Sequence, residues 1–212
     1  MQKTFYQCIT AAKLARTSMT TAFAMLLLGA FAGAAQSNES SYTKIDFDTC
    51  VTLSADSMGA QLVCPGFGGY GVFFKEDDLR QAVQFGHVDQ GEVFESFGAF
   101  NRINETVEWR VNVSGVPIAT ILRWFLENPD PDSGISTPQY LGQVLVISRV
   151  GQPGDARACV VGYVDALGNK DANVLAREVA DNVAADFACG AEAPAFYGFR
   201  TELASEPARS IP

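Results

Sequence analysis

Val107-Glu108-Trp109-Arg110-Val111-Asn112-Val113 alternates apolar and polar residues, and Ser114-Gly115-Val116-Pro117 follows it directly. A period of two puts Val107, Trp109, Val111 and Val113 on one face of an extended chain and Glu108, Arg110 and Asn112 on the other, as in a strand with one buried face. Glycine at the first central position of a two-residue loop suits a type II′ turn. With Ser114 facing Pro117, Trp109 lies opposite Leu122 and Val111 opposite Thr120. Ile118, Leu122, Trp124 and Leu126 then join the valine face, and Glu108 meets Arg123 on the other. The expectation is a β-hairpin at the heart of an antiparallel sheet.

Working outward, Gln61 to Cys64, Gly71 to Lys75 and Leu79 to Phe85 read as short strands divided by glycine-rich or acidic turns, which suits a meander. Phe94, Phe97 and Phe100 recur at three-residue spacing, which favours a short helix or turn. Asn128 to Pro138 holds three prolines and Gly134 and reads as a loop. Gln143 to Val150 and Ala158 to Asp165 are nearly continuous apolar runs, expected of strands covered on both faces. Asn169 or Asp171 then caps a helix from about Ala172 to Ala188, with Leu175, Ala176, Val179, Ala180 and Val183 on one stripe and Cys189-Gly190 at its end. The fold class is α+β: a mainly antiparallel β-sheet with one amphipathic C-terminal helix packed on it.

The first 35 residues carry Lys3, Lys13 and Arg16, no acid, and the apolar run Ala22 to Ala35. That is the pattern of a secretory signal peptide, with a run shorter than the roughly 20 residues of a membrane span, so no stable anchor is expected after cleavage. The remaining chain divides into a flexible leader (36–42), a single globular domain (43–200) and a frayed tail (201–212). Losing those three cations takes the net charge from −9 to −12. Such a balance argues against nucleic acid as a partner. Periplasm or the extracellular space is the expected compartment, and there Cys50, Cys64, Cys159 and Cys189 read as two disulfides. Of three connectivities, Cys50 with Cys64 and Cys159 with Cys189 is favoured, because each joins segments that adjacent elements bring together. A single histidine and no C-x-x-C leave no metal site to propose.

Gly66-Phe67-Gly68-Gly69-Tyr70-Gly71 matches G-x-G-x-x-G in letters, but a dinucleotide fingerprint opens a helix and Val72-Phe73-Phe74 reads as another strand. No cofactor is expected. His87 lacks a G-x-S-x-G partner and reads as a loop residue. Glu76-Asp77-Asp78 suits a turn, and the spacing of Asp130, Asp132 and Gly134 does not fit a calcium-binding loop. Arg110 and Arg123, on one face of the hairpin, form a candidate anion-binding pair. Seven of the 15 phenylalanines fall between Phe67 and Phe100, so an exposed subset around the glycine-rich loop, Phe67, Tyr70 and Phe73, is the candidate partner-binding patch.

These readings favour an exported, acidic, non-enzymatic module that binds an envelope protein or component, with a basic partner preferred by charge. The alternatives are an envelope hydrolase acting through Asp or Glu carboxylates, and a small-anion-binding protein centred on the two arginines.

Overall fold

The central hairpin turns over Asn112 to Gly115 rather than Ser114 to Pro117. Gly115 N–H donates to the Asn112 carbonyl (2.9 Å), and Asn112 N–H donates to the Val116 carbonyl (2.9 Å). Asn112 Oδ1 accepts from the N–H groups of Ser114 and Val116, both at 3.0 Å. Gly115 (φ +79°) supplies the left-handed residue that closes a three-residue loop. The asparagine side chain is what makes this turn, and the strand register moves with it. Val107 faces Leu122 and Trp109 faces Thr120, not Leu122 as the shorter loop required. A slip of two residues preserves side-chain parity, so Trp109, Leu122, Trp124 and Leu126 still share one face. A bulge after Arg110 sends Ile118 to the opposite face.

The computed structural model describes residues 38–88 and 94–209, so the expected signal peptide 1–35 lies outside the described residues. In chain order the elements are β1 (Glu39–Lys44), β2 (Val51–Ala55), β3 (Gly59–Pro65), β4 (Gly71–Asp77), β5 (Arg80–Gly86), β6 (Glu95–Phe97) and β7 (Phe100–Val111). There follow β8 (Pro117–Pro129), β9 (Ser136–Arg149), β10 (Cys159–Asp165), α1 (Ala172–Val183), β11 (Ala195–Tyr197) and β12 (Pro207–Arg209). A six-stranded sheet runs β1-β7-β8-β9-β10-β11, antiparallel except for the β10–β11 pair. A four-stranded meander runs β2-β3-β4-β5, and β12 pairs with β6.

Trp109, Leu122, Trp124 and Leu126 of the large sheet pack against Val72, Phe74, Val83 and Phe85 of the meander. Trp109 is fully buried, edge-on to Phe85 at 5.6 Å, and its indole N–H donates to Thr43 Oγ1 (2.8 Å). On the other face Ala176, Val179 and Ala180 of α1 lie against Ala119, Ile121, Ile147 and Val161. Small residues on α1 allow this close seat. Gly162 extends the same logic: a Cβ there would meet the Tyr197 ring at 2.6 Å. Because both faces are covered, the central strands show no alternation, as their apolar runs implied. The α+β architecture and both disulfides, Cys50–Cys64 and Cys159–Cys189, stand as expected.

Several boundaries differ. β8 and β9 extend through most of the proline-bearing stretch and leave a turn at 130–135, where Asp130 Oδ1 accepts from Asp132 N–H (2.7 Å) and Ser133 N–H (3.1 Å). Phe97 lies in β6 and Phe100 opens β7, so their three-residue spacing straddles two strands rather than marking a helix. β1 begins inside the expected flexible leader, because Ser40 and Asn38 contribute to an ion-pair network beneath α1. The segment expected to fray carries β12, and Ala204 is buried in the core. The helix ends at Val183, earlier than the apolar stripe suggested, and Ala184 and Phe187 complete the packing from the turn beyond it.

Candidate functional site

The glycine-rich segment leaves β3 after Pro65, next to Cys64, which is bridged to Cys50 at a Cα separation of 4.2 Å. It makes one 3-10 turn over Phe67–Gly69 and enters β4. Gly66 is required by proximity, since a Cβ would meet the Tyr70 carbonyl at 2.3 Å and the Trp109 ring at 2.9 Å. Phe67 is half-buried against Trp109, with ring centroids 6.2 Å apart. Tyr70 is also half-buried; its hydroxyl donates to Gln152 Oε1 (3.1 Å) and its ring meets His87 edge-on at 5.1 Å. Two of the three candidate aromatics therefore line the margin of the core. Phe73 differs, because it points away from the face that Val72 and Phe74 bury.

Cross-strand register places Phe73 between Val63 and Gln84, and Val63 opposite Val51. Val51, Val63 and Phe73 form one row on the outer face of the meander, and Gln84, at the buried end of that row, donates to the Ala158 carbonyl (3.2 Å). At the far end of β5 the two sheets are joined by backbone: His87 N–H donates to the Gly151 carbonyl and Gly151 N–H to the Phe85 carbonyl, both at 2.9 Å. Gly86 permits this joint, since its φ is +104° and a Cβ would approach the Gly151 carbonyl oxygen to 2.3 Å. The following loop is closed by reciprocal backbone bonds between Gln152 and Asp155. Gln152 Nε2 anchors it to the Pro117 carbonyl (2.8 Å). Arg157 and Arg149 grip Asp155 at 2.7 and 2.8 Å and hold its carboxyl well below the usual range.

Between this loop and the outer face of the meander lies an open cleft of about 620 Å³. Val63 and Phe73 give it an apolar wall, Gly69 exposes backbone, Gly71 and the buried Gly86 face each other across β4 and β5 at its floor, and His87 and Gln152 supply polar groups. Such a surface offers hydrogen-bonding backbone beside an aromatic ring, a combination suited to gripping a peptide or loop.

Arg110 and Arg123 do share the helix-facing side of the large sheet, but they are not paired on an anion. Arg110 forks onto Asp181 of α1 (Nε to Oδ1 2.9 Å, Nη2 to Oδ2 2.6 Å) and also donates to Ser40 Oγ and the Asn38 carbonyl. Arg123 donates to Gln143 Oε1 (3.0 Å), and burial pulls its pKa down. Glu108, expected opposite Arg123, instead faces Ile121 and binds Arg177 of α1 at 2.6 Å. Arg177 and Asp181, four apart on the helix, are the partners that the hairpin sequence by itself did not supply. Among the acids, Glu76 accepts from Gln81 and Asp78 pairs with Arg80 in the β4–β5 turn. Asp165 is buried at a loop junction, accepting from the N–H groups of Leu167, Gly168 and Thr201 and from the Thr201 hydroxyl. Among the described residues no His, Cys, Asp and Glu cluster is arranged to hold a metal ion.

Comparison with protein-family models, curated proteins and solved structures finds no match for this chain. The functional reading therefore rests on geometry. Gln152, Gly86 and Gly151 were not legible as site residues. Their roles come from the joint between two sheets, and the only local cue was the Pro153-Gly154 dipeptide marking a tight turn.

Proposed function

We propose that this protein is an exported, non-enzymatic interaction module that receives a basic protein or other envelope component in the cleft beside the glycine-rich turn. The observation that carries the proposal is the cleft itself, where Phe73 and Val63 stand beside exposed glycine backbone, His87 and Gln152. Two disulfides are compatible with life outside the reducing cytosol, and no helix among the described residues is long and apolar enough to cross a membrane. The net charge of −9 favours encounter with a cationic partner. Polar groups named for the other readings have partners within the protein: Glu76 accepts from Gln81, Asp78 pairs with Arg80, and Arg123 donates to Gln143. Arg110 makes four hydrogen bonds to Asp181, Ser40 and Asn38, and both oxygens of Asp165 accept from donors.

The test is a crosslinked pull-down from an envelope fraction with oxidised protein as bait and a Phe73→Ser variant as control. Phe73 faces outward, so its replacement leaves the core packing of Phe74 and Val72 intact. A near-stoichiometric partner retained by the native bait and lost by the variant supports the cleft. Equal recovery on both baits rejects it.

A further inference from the structure

We propose a second docking surface, at the edge of the meander beyond the cleft wall: the free edge of β2, which accepts an extended peptide segment with an apolar centre and basic ends as an added strand. β2 is the terminal strand of the meander, and β3 is its one partner among the described residues. All five of its residues are exposed, including Val51 at 64% and Leu53 at 44%. The strand Val51-Thr52-Leu53-Ser54-Ala55 contains neither a charge nor a proline, the usual devices by which an edge repels another chain. A bulge between Thr52 and Ser54 is the one such device present, and it sets Leu53 out of register with β3.

Charge identifies the occupant. Asp46 and Asp48 precede the strand and Asp56 follows it, all exposed. Beyond Ala55 a hollow of about 190 Å³ is lined by Asp56, Glu76 and Asp77, with Lys75 as the one cation in its wall. Two copies of this edge paired antiparallel would bring Asp48 of each towards Asp56 of the other, and like charges brought together oppose pairing. A segment with Lys or Arg at both ends meets an acid at each, while backbone hydrogen bonds to β2 supply the affinity. A side chain placed beside Val51 continues the outer row formed by Val51, Val63 and Phe73.

The experiment titrates the oxidised protein with a short capped peptide that alternates Val and Thr and carries lysine pairs at its ends, and with a glutamate-ended counterpart. The lysine-ended peptide is expected to bind, to weaken with added salt, and to slow amide hydrogen exchange in residues 51–55. Val51→Lys with Leu53→Lys is expected to weaken it by about tenfold or more. Both side chains are exposed, so thermal unfolding should not shift. Should that variant misfold, Asp48→Asn with Asp56→Asn decides the matter, because an amide at position 56 keeps the acceptor for Met58 N–H and Gly59 N–H while both changes remove charge. Equal binding of the glutamate-ended peptide, exchange protection in the cleft rather than β2, or concentration-dependent dimerisation abolished by the lysine variant would each overturn the assignment.

Discussion

Asp165 has 1% of its surface exposed, and its carboxylate is stabilised by four donors from two loops. Burial disfavours the charge, but hydrogen bonds from Thr201, Gly168 and Leu167 outweigh it and hold the carboxyl below its ordinary value. A depressed folded value means that this stabilisation is complete above the unfolded value of roughly 3.9 and is lost as pH falls through the folded one. Urea midpoints of the native protein should therefore fall more steeply below pH 4 than those of Asp165→Asn. At neutral pH, Asp165→Ala should cost about 2–3 kcal/mol by leaving buried donors unpaired, measured by urea unfolding. Arg110 teaches the converse lesson about legibility. Its face was readable from alternation, but its partner Asp181 lies 71 positions away, and an arginine without a visible carboxylate resembles an anion site. Asp181→Ala strands that guanidinium and is expected to cost about 3 kcal/mol in the same assay.

Among the elements, the strands and their faces were legible because parity survives a two-residue error in register. Trp109 and Leu122 lie on one face whether or not they are directly opposed. Register itself was not legible, because it depended on Asn112 Oδ1 capturing two N–H groups rather than on the position of glycine alone. The phenylalanine triplet was read as a short helix or a turn, and the second holds: residues 98–99 bend between β6 and β7. The cleft depends on another close backbone approach. Gly86→Ala should destabilise the protein by about 2 kcal/mol or more, since the substitution combines a positive φ with a clash against Gly151. If the cleft is the binding surface, the same change should also release the partner, and the pull-down with this variant reads that directly.

For the molecule as a whole, cysteine pairing was legible because four cysteines permit few arrangements and proximity along the chain favours one. Cys50–Cys64 pins the start of β2 to β3, and Cys159–Cys189 ties β10 to the turn beyond α1. From loops of 14 and 30 positions, loss of either bridge by Cys→Ser pairs should lower stability by about 3 and about 3.5 kcal/mol respectively. Chemical denaturation of the two variants tests this, and losses near zero for both would show the reduced chain to be self-sufficient. The C-terminal region escaped the sequence reading because its burial depends on partners over a hundred positions earlier, as when β12 finds β6.

One consequence of the topology concerns time. β1 is the first described strand to be synthesised, yet its neighbour β7 and the clasp from Arg110 to Ser40 come some 70 positions later. At translation rates of about 5–20 residues per second, the strand waits several seconds with nothing to pair with. Order in β1 therefore arrives after the chain has been made as far as β7, so the N-terminal strand is a late partner in the assembled sheet.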